Sequence, residues 1–141
     1  MYNELENYLS SEFSVDYWSD EGITIVVNTL VNFSEDDWKL LIINANKKNP
    51  DWQIKLANVL GDFTTENSMT ILISLLGSNN DEVIEAAIDS IREMTHLDVL
   101  KNAEVRKLIS VRTNELKDKN SLLTNLIIND LKEKLVDRKK F

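Results

Sequence analysis

Apolar positions in the middle of this chain recur at helical spacing and again at a longer interval. Laying Glu35–Phe63 over Glu66–Met94 needs no gap. Trp38 then falls on Met69, Leu41 on Leu72, Ile42 on Ile73, Trp52 on Val83, Leu56 on Ala87, Leu60 on Ile91 and Phe63 on Met94. Apolar character coincides where identity mostly does not. Each copy holds two runs of i, i+3, i+4 apolar spacing broken by a polar turn, KKNP in the first and LLGSNN in the second. Each copy therefore predicts a helix A and a helix B. A repeat of this length marks stacked supersecondary units, none of which buries its apolar face alone.

The flanking segments follow the same helical period. From Tyr2 to about Leu9, Leu5, Tyr8 and Leu9 share one helical face. Phe13, Val15, Tyr17 and Trp18 come next in a polar setting, and Ser19–Gly22 predicts a helix start. Ile23–Val31 is β-branched, which favours strand. Ile23, Val26, Val27, Leu30 and Phe33 nevertheless recur at helical spacing, and nothing else in the chain reads as a partner strand. Ser34 to Asp37 has capping-box spacing with Asp in place of Glu, and Pro50 suits the first turn of a helix. In the second unit Thr65–Asn67 begins helix A, and Asn79 or Asn80 caps helix B. Beyond Thr95 two further helices are predicted at about 103–117 and 121–136. In the second, Leu122, Leu123, Leu126, Ile127, Asp130 and Leu131 give an apolar stripe, with KDKN at 117–120 as the separator and a frayed tail from Asp137.

The stretch DEVIEAAIDSIREM, Asp81–Met94, resembles the second helix of a HEAT repeat, which runs acid, Val-Arg, an Ala pair, Leu-Gly. Val83, Ala86, Ala87 and Ile91 stand at those places, as do Trp52, Leu56, Leu60 and Gly61 in the first unit. Gln53 and Ile84 replace the family's Arg, so its Asp–Arg ladder between neighbouring repeats is absent. The resemblance implies a single all-α domain over 1–141, a right-handed stack of antiparallel helical hairpins (a HEAT-like α-solenoid) of about six to seven helices. Units 35–63 and 66–94 would be followed by a divergent C-terminal hairpin at about 99–136. It further implies that the B helices line a concave face.

Composition narrows the function. Three Gly and one Pro leave little material for sheet corners, and with 43% hydrophobic and 28% charged residues the balance is globular. Without Cys, no disulfide, thiolate metal site or Cys nucleophile can form, and the single His96 excludes His clusters and His triads. No apolar run reaches the ~18 residues of a membrane span, and the N-terminal residues lack a signal-peptide pattern, so a cytoplasmic protein is expected. The net charge of −8 is polarised. The stretch 1–38 holds nine carboxylates and no Lys or Arg, whereas 101–141 holds eleven basic and six acidic side chains. That distribution disfavours nucleic acid and favours a basic protein partner.

At about 100° per residue, Asp51, Ile54, Asn58 and Asp62 share the face of the first helix B opposite Trp52, within an arc of roughly 80°. Glu82, Glu85, Asp89 and Glu93 share the corresponding face of the second. Two neighbouring helices would thus present one acidic strip, repulsive within itself and with Arg92 lying to one side. Trp38 and Trp52 occupy repeat positions and read as core. Trp18 lies outside the repeat among acids, where an aromatic can anchor an interface. No nucleophile–base pair, cofactor loop or metal cluster can be assembled. The expectation is a non-catalytic module, monomer or weak homodimer, that binds a basic protein through Asp51, Asn58, Asp62, Glu82, Glu85, Asp89, Glu93 and Trp18. In size, acidity and helicity it is similar to bacterial immunity proteins that neutralise a cognate toxin such as a nuclease, and its richness in Asn, Ile and Lys fits an AT-rich bacterial genome. The alternative is a HEAT-like scaffold binding a helix or peptide of another protein.

Overall fold

The computed structural model describes residues 1–117 and 122–139, and every regular element among them is helical. Helix α1 spans Tyr2–Leu9. A short α2, Val15–Tyr17, runs through a π turn at Trp18–Gly22 into α3, Ile23–Val31. Then come α4 (Glu35–Asn44), α5 (Pro50–Leu60), α6 (Glu66–Leu75), α7 (Asp81–Ile91), α8 (Ala103–Lys117) and α9 (Leu122–Lys139). Counting α2 to α3 as one body gives eight helices among the described residues, one or two more than expected. The KDKN separator lies mostly outside these residues, as do the last two of the tail, while Asp137–Lys139 continue α9.

The repeat reappears in the helix caps. Ser34 Oγ accepts from the Asp37 N–H at 3.2 Å, and Thr65 Oγ1 accepts from Ser68 N–H at 3.2 Å. Asn49 Oδ1 accepts from Trp52 N–H at 3.0 Å, and Asn80 Oδ1 accepts from Glu82 and Val83 at 3.0 and 3.2 Å. In the alignment that lays Glu35 on Glu66, Ser34 falls on Thr65 and Asn49 on Asn80. These side chains satisfy N–H groups that no helical carbonyl can reach. Ser34 and Asp37 close the full capping box.

In the core α5 packs along α7, α4 packs on α6, and α6 touches both α5 and α7. The paired positions Trp38 and Met69, Leu41 and Leu72, Trp52 and Val83, Leu56 and Ala87, and Leu60 and Ile91 are all buried. Where the family pattern has Arg, Ile84 is buried and the Gln53 amide donates to the Ala45 carbonyl at 2.9 Å. A small-residue contact brings α5 close to α7. Ser90 Oγ donates to the Ala57 carbonyl, and a Cβ on Gly61 would stand 3.0 Å from Ser90 Oγ.

Ile23–Val31 is a helix, with Val26 and Leu30 buried and Ile23 and Val27 packed at the core edge. Burial decides where intrinsic propensity pointed the other way. Ser19–Gly22 does not start this helix. Ser14 does, capping Tyr17 at 3.1 Å, and the π turn carries the chain onward.

Helix α9 is rotated from the expected stripe. Thr124, Ile128, Leu131 and Leu135 face the core, Ile127 is half-buried and Leu126 is exposed, while the Leu122 and Leu123 side chains lie outside the described set. In that orientation Asp130 pairs with Arg92, at the end of α7, and with Lys134 of its own helix, both at 3.1 Å. Arg112 joins α8 to the end of α6 by donating to the Leu76 carbonyl at 2.6 Å and the Ser78 carbonyl at 3.0 Å.

Candidate functional site

The chain between α1 and α3 folds into an aromatic ridge. Phe13 sits among Tyr8, Tyr17 and Trp18 with ring centroids 4.9, 5.2 and 5.9 Å away. The Tyr8 and Tyr17 hydroxyls meet at 2.8 Å, and burial followed by that hydrogen bond pushes Tyr8 up to about 12. The π turn sets the Trp18 position, because its indole lies against Gly22. A Cβ there would come within 2.5 Å of Trp18 Cε3. π turns inside helices occur often at functional sites.

Between this ridge and α5 lies a groove of about 500 Å³, lined on one side by Glu12, Phe13, Ser14, Val15 and Trp18 and on the other by Asp51, Ile54, Lys55, Asn58 and Glu82. A second depression of about 200 Å³ continues it along α7 past Asn58, Glu82, Glu85 and Asp89 to Ile127 of α9. Asn58 and Glu82 belong to both. The fold therefore gathers Trp18, Asp51, Asn58, Glu82, Glu85 and Asp89 along one trough. Asp62 and Glu93 are exposed and line neither depression.

The carboxylates are unequal. Arg92 Nε binds Asp89 Oδ1 at 2.6 Å, which corrects the expectation that Arg92 lies aside from the strip. The same guanidinium reaches Asp130, and these two carboxylates, Asp89 first, raise the Arg92 pKa. Thr124 Oγ1 donates to Glu85 Oε1 at 3.0 Å. At the α7 end of the strip Arg92 thus compensates Asp89, and α9 caps Glu85 with the Thr124 hydroxyl. The other end is bare: among the described residues Glu12, Asp51 and Glu82 form no ion pair.

Lys55 stands one helical turn after Asp51, the spacing of a helix ion pair. It does not make one. Its ammonium donates to the carbonyls of Leu9 at 3.2 Å and Ser11 at 2.8 Å and sits 4.9 Å from the centre of the Phe13 ring. It anchors the ridge to α5 and lines the groove as a cation without forming an ion pair with Glu12, Asp51 or Glu82. Sequence periodicity missed Glu12, Phe13, Lys55 and Gly22. Only the run of aromatics at 13–18 hinted at them, because the contacts that place them join α5 to the far-removed end of α1.

Another depression, of about 650 Å³, opens between the turns of the two repeat units and is lined by Asn, Ser, Gln53, Gly77, Pro50 and Lys48. The Lys48 ammonium is engaged by Glu6 at 2.7 Å. No described helix is long and apolar enough to cross a membrane. No protein-family model, curated protein or solved structure matches this chain.

Proposed function

We propose that this protein is a non-catalytic binding module whose acidic trough captures a basic protein, and that it acts as an inhibitor in the manner of an immunity protein neutralising a cationic toxin such as a nuclease. One observation carries the reading. Glu12, Asp51 and Glu82 line a groove in which they form no ion pair and outnumber its one lysine, Lys55, whose ammonium is held by backbone carbonyls. An excess of like charges costs free energy in the free protein, and a cationic partner turns that cost into affinity and fast association. The HEAT-like arrangement of stacked hairpins belongs to the same proposal. It is supported by caps that recur at matching places in the two units and by contacts of α4 with α6 and of α5 with α7.

The test is affinity capture from the source cell, eluted with a salt gradient and repeated with the double variant Asp51→Lys, Glu82→Lys. A basic protein should elute at moderate salt, be toxic when expressed alone, and escape the variant. Equal capture by the variant would overturn the assignment. A scaffold role is the second reading, favoured by Val15, which is 81% exposed on the groove rim. Capture that persists at high salt would support it.

A further inference from the structure

The two walls of the groove differ in kind. Phe13, Val15 and Trp18, with Ile54 opposite, offer apolar surface, whereas Glu12, Asp51 and Glu82 offer three carboxylates against the single ammonium of Lys55, which is held by the carbonyls of Leu9 and Ser11. A flat cationic surface would satisfy the carboxylates and leave Val15 and the Trp18 edge against water. A purely apolar helix would strip water from the carboxylates and give them no partner in return. An occupant that suits both walls is apolar on one face and cationic along the adjoining edge.

Resting on the partner-binding reading above, we propose that the groove receives a single amphipathic basic segment of the partner. Its apolar residues pack on Val15, Trp18 and Ile54, and its Lys or Arg side chains meet Asp51 and Glu82. Helical periodicity supplies that pattern, since residues three and four apart share a face and their neighbours border it. The trough prolongs the fit. Beyond Glu82 it leads to Glu85 and Asp89, which Thr124 and Arg92 already partner, so the bare carboxylates lie at the aromatic end and fix where the cations go.

Two synthetic peptides test this on the full chain. One is a helix of about 14 residues with Leu at i, i+3, i+4 and i+7 and Arg along the flank. The other has the same charge, with Ser at every Leu position. Binding is read by calorimetry and by acrylamide quenching of tryptophan. Trp38 and Trp52 are buried, so quenching reports Trp18. The amphipathic peptide should bind and shield Trp18. Its affinity should fall at least about tenfold with Val15→Asp, and by a similar factor with Asp51→Asn, Glu82→Gln. All three positions are exposed, and the helical signal of each variant confirms that it folds. Equal affinity for the Ser peptide would overturn the amphipathic occupant while leaving an acidic capture surface. Binding unaltered by either variant, or absent for both peptides, would also overturn it. Salt-gradient capture then decides the partner-binding reading separately.

Discussion

At the scale of single residues, stability at the helix starts rests on side-chain oxygens. Asn80 serves two N–H groups and Asn49 serves one. Asn80→Ala is expected to cost about 1–2 kcal/mol and Asn49→Ala about 1 kcal/mol, within the range for lost N-caps. Urea unfolding of both variants measures this, and a reversed order would mean that the second bond to Asn80 carries no weight. Three carboxylates set the response to acid. Asp37 is lowered first by the Ser34 N–H, with Tyr2 N–H also donating to it at 3.1 Å. Glu6 is lowered first by Lys48 and then by the Tyr2 hydroxyl, and Asp130 first by Lys134 and then by Arg92. A folded pKa below the unfolded one contributes stability that is complete above the ordinary values, 4.5 for Glu6 and 3.8 for the two Asp, and is lost as pH falls through the depressed ones. Melting temperature should therefore drop below about pH 4, and less steeply in Asp37→Asn than in the parent. Parallel acid curves would rule out Asp37 as a contributor. Trp38 and Trp52 were legible as core because each falls on an apolar residue of the second unit, Met69 and Val83. Lys55 was not, since its partners are backbone carbonyls of another segment, which carry no signature in sequence.

Among the elements, the α5 and α7 pair carries the densest packing. Leu56→Ala, at a fully buried position, is expected to cost about 2–5 kcal/mol, and Gly61→Leu about 1–3 kcal/mol through overpacking against Ser90. A Gly61→Leu variant as stable as the parent would mean that Ser90 turns aside freely. The helical state of Ile23–Val31 was readable from spacing against β-propensity, because Val26 and Leu30 lie one turn apart on the buried face. The rotation of α9 was not readable. Leu126 and Ile128 are equally apolar in sequence, and contacts to distant segments, Asp130 with Arg92 and Thr124 with Glu85 among them, accompany the inward turn of Ile128. Arg92→Met should accelerate amide exchange in α9 while lowering global stability by no more than about 1 kcal/mol, since the pairs it breaks are partly exposed. Unchanged exchange would show that α9 is held by its apolar contacts alone.

For the molecule as a whole, charge and topology act together. The acid-rich stretch 1–38 provides Glu12 and the aromatic ridge, and α5 and α7 provide Asp51 and Glu82, so one acidic trough is built from segments that are distant in sequence. Sequence reading found the B-helix carboxylates because they share a helical face. It did not find that Arg92 pairs with Asp89, nor that Thr124 of α9 hydrogen-bonds Glu85, a contact that depends on how the last helix folds back. The Arg112 fork has a separate consequence. Its acceptors at 76 and 78 are main-chain oxygens, present whatever side chains occupy those positions. The grip of Arg112 on this turn therefore does not depend on which side chains stand at 76 and 78, whereas it does depend on the arginine. Relatives should keep an arginine there even where the side chain at 78 changes, an asymmetry of constraint that neighbouring surface residues would not share.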